Sequence, residues 1–266
     1  MAKRLLILIP AYNEAQNLPT LFESFEQVVP QVRALGWEAH FLIIDDGSAD
    51  ATATLADQRG FRVLRLVVNL GYGAALQTGF KFAKTENYDA AVCIDADGQH
   101  QPQDIITLLK VFDTGDYHVV LGSRFIEDTG YEANWARRLG IRMFSFILRL
   151  VSGKKIVDVT TGFQMISKPV ISLFADEYPH DYPDTQVLLL LTLTGYKIKE
   201  VPVVVKQRVH GTSMHGSLKS LMYPLRNLFA ILIMVLRIST ISKRIHVANS
   251  QTAEATSIPV QKVNIN

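Results

Sequence analysis

Ala90-Ala-Val-Cys-Ile-Asp-Ala-Asp-Gly-Gln-His100 is an apolar run that stops abruptly on two acids, Asp95 and Asp97. A short apolar run of this kind reads as a buried parallel strand delivering its last side chains to the C-terminal edge of a sheet. In an extended strand, residues i and i+2 point the same way, so both carboxylates are expected to converge on one divalent cation. Ala96 and Gly98 leave room for it, and Gln99 can add a carbonyl oxygen. Hard oxygen ligands of this sort suit Mg²⁺ or Mn²⁺. The same residues read equally well as a strand ending in Asp-Gly turn chemistry.

Working outward, the pattern repeats. Leu5–Ile9 is a five-residue apolar run closed by Pro10, and Phe41–Ile44 is another that also ends on acids, Asp45 and Asp46. Arg62–Val68 is a third strand by composition. Between them, Leu18–Ala34 and Ala51–Arg59 carry helical spacing, and Asn69-Leu-Gly-Tyr-Gly73 opens a helix through about Thr85. Strands alternating with helices, with polar residues at the strand ends, describe a doubly wound α/β sheet. Asp50 is expected to cap the helix that follows it. Gly71-Tyr-Gly73 lacks the G-x-G-x-x-G spacing and follows the third strand rather than the first, which sets hydride transfer aside.

The chain has 266 residues, is 48% hydrophobic and carries a net charge of only +2, enough for one large domain with a sizeable core. Its charge is uneven. From Lys197 to Arg244 the basic residues face a single acid, Glu200, which points to a phosphate-rich ligand or an anionic membrane. The one cysteine, Cys93, lies inside an apolar strand and implies a reducing, cytosolic setting. Pro10, Asn13 and Glu14 cut the first apolar run too short for a signal peptide.

Ile9-Pro-Ala-Tyr-Asn-Glu14, Asp45-Asp-Gly-Ser-Ala-Asp50, Asn69-Leu-Gly-Tyr-Gly-Ala74, Asp95-Ala-Asp-Gly-Gln99 and Gly122-Ser-Arg124 occur in that order. Together they resemble the family 2 glycosyltransferases, especially the polyprenyl-phosphate (dolichyl-phosphate-type) mannose and glucose synthases, from about Leu5 to Arg208. The resemblance implies the GT-A nucleotide-sugar-binding fold, a central, mostly parallel sheet flanked by helices. It places the nucleotide against Pro10, Ala11, Tyr12, Glu14 and Asp46, with an aromatic or proline face to stack on. Asp95, Asp97 and Gln99 become the metal site for Mg²⁺ or Mn²⁺. Arg124 becomes the grip on an acceptor phosphate, with Arg137 as a second contact, and Arg208 and Ser213 belong to a loop that covers the nucleotide. Asp97, Arg124 and Asp184 are the catalytic candidates. Arg124 also admits a structural role, in an ion pair with Asp95 or at a helix C-terminus. Asp158, in Asp158-Val-Thr-Thr-Gly-Phe-Gln164, either orients the phosphate-binding arginines or the donor sugar, or caps a turn. His100, a lone loop histidine, is expected to be solvated, and His210 and His215 offer too few ligands for a second metal.

Arg138, Arg142, Ser145 and Arg149 recur at i, i+4, i+7 and i+11 as one polar stripe, and no acid occurs from Arg137 to Lys155. Apolar residues from Leu139 to Val151 fill the rest of that helix, a pattern suited to an anionic membrane interface; a core helix with snorkelling arginines is the alternative. Leu228–Leu236 is apolar but interrupted upstream by Pro224, Arg226 and Asn227, short of the roughly 20 residues a bilayer span needs. The expected organisation is therefore a GT-A domain at 1–215, a basic, apolar C-terminal amphipathic helix at 216–246 that docks on the membrane, a membrane protein or a second copy, and a disordered tail at 247–266.

The implied activity is inverting, metal-dependent transfer of a hexose from a UDP- or GDP-linked sugar to a polyprenyl phosphate. The setting is the cytoplasmic face of the plasma membrane, with a peripheral enzyme and no nucleic acid. A phosphate acceptor is already ionised and needs no base. The alternative is the same fold acting on a saccharide hydroxyl, with Asp184 as base. A sugar-1-phosphate nucleotidyltransferase would need a Gly-rich, basic loop where Ala11-Tyr-Asn-Glu14 stands, and a non-catalytic binding subunit would not keep all the expected metal ligands.

Overall fold

The computed structural model describes the backbone of residues 2–126, 135–179 and 183–206, and the side chains of the same residues except 135–137 and 183–185. The boundaries expected near 215 and 246 lie outside the described residues. No helix among the described residues is long and apolar enough to cross a membrane.

Seven strands form one sheet: β1 (Lys3–Ala11), β2 (Trp37–Asp45), β3 (Arg62–Arg65), β4 (Ala90–Cys93), β5 (Val119–Ser123), β6 (Gln164–Ser167) and β7 (Ile198–Pro202), in the order β3-β2-β1-β4-β6-β5-β7. All pairings are parallel except the two made by β6, which runs antiparallel to β4 and β5. The chain winds from β1 outward through β2 to β3, then returns to place β4 on the other side of β1. Doubly wound sheets bind their ligands at such a reversal, outside the C-terminal ends of the two strands that flank it, here β1 and β4.

Alternation along β1 explains why both faces are covered. Leu6 and Leu8 join one apolar cluster, while Leu5, Ile7 and Ile9 join another on the opposite face. The second cluster includes Leu21, Phe22, Phe25, Val28 and Val32 of α1 (Leu18–Ala34), together with residues of α2 (Thr52–Gln58) and α4 (Asp104–Phe112). Residues of α3 (Tyr72–Thr85), α5 (Trp135–Ser152), α6 (Lys168–Glu177) and α7 (Pro183–Leu193) supply the first. Val187–Leu191 of α7 are all buried, as a helix apolar on every side must be.

The structure differs from the sequence reading most in one strand end and in one helix face. β3 stops at Arg65, and Leu66–Gly71 is a loop in which Val67 is 99% exposed and Val68 and Leu70 are also bare. In α5 the apolar residues do not form one face. Ile141, Phe144 and Leu148 point into the core, while Leu139, Met143, Phe146 and Leu150 form a separate exposed ridge. The exposed Arg138, Arg142 and Arg149 run between them.

Candidate active site

Three acidic or basic corners meet at the C-terminal edge of the sheet. At the ends of β1 and β2, the two loops are stitched together through side chains. Asn13, held at φ 55°, donates its N–H to Ser48 Oγ and accepts from Ala49 N–H, each at 2.9 Å. Thr52 Oγ1 accepts the Glu14 N–H at 2.9 Å. Asp50 accepts the N–H groups of Thr52 and Ala15, so it ties the start of α2 to the opposite loop; the N-cap position itself is Ala51, which makes no side-chain cap, so Asp50 does not cap the helix in the expected way.

Asp45 is fully buried and lies 3.2 Å from Arg65 Nε. Asp46 is buried too, and each of its oxygens takes one backbone N–H: Leu70 at 2.8 Å and Gly71 at 2.9 Å. Its carboxylate therefore anchors the turn into α3. Pro10 and Ala11 are buried inside β1, so neither offers the stacking face expected of Pro10; Tyr12, 49% exposed, is the aromatic that does.

The acidic pair sits beyond β4, and here the structure corrects the strand argument. The ladder ends at Cys93, with one further bond from Ile94 N–H to Leu8 carbonyl, and Ala96-Asp97 form a turn. The i, i+2 rule for strands does not place these carboxylates; a turn does, and Gly98 completes it at φ 73°. Asp97 is buried and accepts the Gln99 N–H at 3.0 Å. Asp95 accepts a hydrogen bond from the Tyr72 hydroxyl at 3.0 Å. Gln99 is braced from the other side, its carbonyl accepting the Lys206 N–H at 2.9 Å, while His100 bridges to Val205.

Among the described residues no three His, Cys, Asp or Glu side chains gather in metal-binding geometry. The expected donors, Asp95, Asp97 and Gln99, are two carboxylates and an amide. That set fits Mg²⁺ or Mn²⁺, which bind through one or two carboxylates and leave positions for substrate phosphates.

His100 is not solvated. Its ring is 6% exposed and stacks on Phe163 at 4.8 Å, and among the described residues its Nδ1 has no hydrogen-bond partner. Burial, helped by the nearby Arg124 charge and opposed by Asp97 and Asp158, holds its pKa down at about 4. Its imidazole thus feels both the acidic corner, through Asp97, and the third one, through Arg124 and Asp158.

That third corner is an ion pair. Arg124, just after β5, is 7% exposed and bonds Asp158 twice, Nε to Oδ2 and Nη2 to Oδ1, both at 2.7 Å. Nη2 also reaches Thr160 Oγ1 at 2.7 Å, and the Arg124 N–H meets Asp158 at 3.1 Å. The partner is Asp158, not Asp95. Burial, the largest single influence, pushes the Asp158 carboxyl up, but the Arg124 guanidinium and the backbone N–H groups of Arg124 and Thr160 together outweigh it and hold the group below its ordinary value. Glu200 of β7 accepts the N–H groups of Val157 and Asp158, both at 2.8 Å, fixing the loop that carries the aspartate.

Arg208 and Ser213 lie outside the described residues, as do the side chains of Arg137 and Asp184, although Arg137 falls in α5 and Asp184 in the first turn of α7. Two contributors escape the sequence reading. Tyr72 lies in a noted motif, but its partner is visible only once α3 is packed across β1 and β2. Glu200 reads as a stray acid in a basic stretch, and its partners are backbone groups that no side-chain pattern signals.

Residues 6–174 match the family described as glycosyl transferase family 2. The chain is 32% identical to the polyprenol monophosphomannose synthase of Mycolicibacterium smegmatis over 81% of its own length and 82% of the relative's. It is 31% identical to the undecaprenyl-phosphate mannosyltransferase of Micrococcus luteus, over 79% of this chain and 86% of that one. The glucosyl-3-phosphoglycerate synthase of Mycobacterium tuberculosis, solved with Mn²⁺, UDP and phosphoglyceric acid, superposes with a TM-score of 0.66 at 20% identity, covering 88% of this chain and 78% of the other. The ordered motifs, the GT-A sheet and a sequence match over more than half its length agree: the chain belongs to glycosyl transferase family 2 and is a glycosyltransferase.

Proposed function

We propose that this enzyme transfers one hexose, with inversion, from a UDP- or GDP-linked donor to a polyprenyl phosphate at the cytoplasmic face of the membrane. The observation that carries the reading is the pairing of two unlike corners on one sheet edge. A turn bearing Asp95 and Asp97 leads directly into the buried His100, and the Arg124 guanidinium, fixed by Asp158, is near enough to act on the same imidazole. The two mannosyltransferase relatives, named for polyprenol and undecaprenyl phosphate, support the acceptor class. The Mn²⁺ and UDP in the solved neighbour support the donor and the metal.

In this reading Tyr12, Glu14 and Asp46 flank the nucleotide, with the bare Val67–Leu70 loop beside them. Asp95, Asp97 and the Gln99 amide would hold Mg²⁺ or Mn²⁺. When bound, the cation supplies Lewis-acid neutralisation of the diphosphate as it departs. Arg124 offers a planar, permanently charged grip on the acceptor phosphate, kept in one orientation by Asp158 and Thr160. One acceptor oxygen, already ionised, attacks the anomeric carbon from the face opposite the leaving diphosphate.

The exposed ridge of Leu139, Met143, Phe146 and Leu150, with Arg138, Arg142 and Arg149 alongside, rests on the anionic lipid surface and brings the acceptor to this edge. The test is transfer from a panel of labelled nucleotide sugars to undecaprenyl phosphate, by the parent chain and by Asp97→Ala. Lipid-extractable product that needs a divalent cation and disappears in Asp97→Ala is the expected result. Full transfer by Asp97→Ala in chelator contradicts the metal assignment.

A further inference from the structure

Tyr72 is the first residue of α3, and its hydroxyl is 3.0 Å from Asp95 Oδ1. Two other features fix that phenol. On one side, Asp46 holds the N–H groups of Leu70 and Gly71, so the residues leading into Tyr72 are anchored to the end of β2. On the other side lies Gly162, where an added Cβ would stand 2.7 Å from the Tyr72 hydroxyl oxygen. Gly162 is not among the glycines with positive φ, so its backbone does not require glycine; the phenol does.

We propose that Tyr72 is a positioning residue for the metal ligand Asp95. Its O–H donates to one carboxylate oxygen and so fixes the orientation in which Asp95 meets the cation. Gly162 is the hollow that lets the phenol lie there. Hydrogen bonds to a metal-ligating carboxylate set its direction, and losing such a partner typically weakens metal affinity about 10–100-fold. A phenol donating to an ionised oxygen is also stronger than a neutral pair. The same contacts join the two acidic corners: Asp46 grips the turn, the turn sets Tyr72, and Tyr72 sets Asp95. This inference rests on the proposal that Asp95 and Asp97 hold a divalent cation.

The experiment measures Mn²⁺ affinity of the purified full chain from the electron paramagnetic resonance signal of free Mn²⁺, with no donor or acceptor added. It compares the parent with Tyr72→Phe, Gly162→Ala, the double variant and Asp97→Ala. Tyr72→Phe should weaken Mn²⁺ binding at least about 10-fold, with a melting temperature close to the parent's. Gly162→Ala should weaken it too, by displacing the hydroxyl.

The double variant should bind no worse than Tyr72→Phe alone. With the hydroxyl gone, the nearest other atoms, Asp95 Oδ2 and Tyr72 Cζ, stand 3.7 and 3.8 Å from the new Cβ, an ordinary contact. In steady state, Tyr72→Phe should raise the Mn²⁺ concentration for half-maximal rate while saturating Mn²⁺ restores most of kcat. If Tyr72→Phe binds like the parent while Asp97→Ala has lost Mn²⁺, the positioning role is overturned and the metal site stands. Independent, additive losses in the double variant also overturn it. If the parent binds no Mn²⁺, or Asp97→Ala binds it undiminished, the metal site falls and this inference with it.

Discussion

Replacing Arg124 by methionine should destabilise the protein by about 3 kcal/mol, the low end of the 3–5 kcal/mol that removing one partner of a buried ion pair costs. The low end follows from what remains. Asp158 is fully buried and loses two 2.7 Å bonds to the guanidinium. It keeps the backbone N–H of residue 124 at 3.1 Å and that of Thr160 at 3.3 Å. For a chain of 266 residues, 3 kcal/mol lowers the melting temperature by roughly 6–12 °C.

The loss should also depend on pH, with a definite sign. In the parent the Asp158 carboxyl titrates below its ordinary value, so it stabilises the fold above that value and the contribution fades as pH falls. In Arg124→Met the same carboxylate is buried without its cation and titrates above its ordinary value, so acidification relieves it. Urea unfolding of both proteins at pH 7 and pH 5 reads the difference. A loss under about 1 kcal/mol at pH 7 would refute the reasoning, because it would mean that the pair behaves as a solvent-exposed one.

His100 makes a second pH-dependent contribution. Its pKa of about 4, against an ordinary 6.5, means that the folded state binds fewer protons between those values, so stability is present above 6.5 and lost as pH drops toward 4. The loss should be about 3 kcal/mol, and His100→Phe, which keeps a ring against Phe163, should remove that component of the urea-unfolding profile; an unchanged profile contradicts it. At the membrane, Arg142→Glu with Arg149→Glu should cut sedimentation with anionic vesicles more than 10-fold, since each basic residue near such a surface is worth roughly 1 kcal/mol. Unchanged binding would return α5 to a purely structural role. Arg124→Lys keeps the charge but loses the planar fork; once nucleotide-sugar binding is shown intact, it should slow transfer more than Asp184→Asn does.

How much of this is legible in the sequence differs from residue to residue, for physical reasons. The end of β2 is legible because a buried strand that reaches the sheet edge leaves an apolar run stopping on acids, and Leu18–Ala34 keeps its bounds as α1. β6 escapes a sequence reading because four residues running antiparallel inside an otherwise parallel sheet leave no periodic mark. Strand geometry predicts the convergence of Asp95 and Asp97, but a turn produces their arrangement. His100 reads as solvated because its neighbours in sequence are polar, yet its neighbours in space include Phe163 and Val205. The split of α5 into core and exposed ridges is out of reach of periodicity, which finds the apolar positions but not what each of them faces. Arg124 and Asp158 each stand out in the sequence, and only the fold shows that they bond each other.

The central claim is the class of acceptor, and one comparison tests it directly. The parent enzyme is given the same nucleotide sugar with undecaprenyl phosphate in one reaction and undecaprenol in another, in identical detergent micelles. The lipid is constant, and only the nucleophile changes, from an ionised phosphate oxygen to a hydroxyl that needs a base. General-base catalysis contributes typically 10²–10⁴-fold, so a site without a base should leave the alcohol essentially unreacted. The account predicts glycosylated lipid from the phosphate alone, persisting in Asp184→Asn. Equal or faster transfer to the hydroxyl, abolished in Asp184→Asn, would contradict it and make the enzyme a hydroxyl glycosyltransferase.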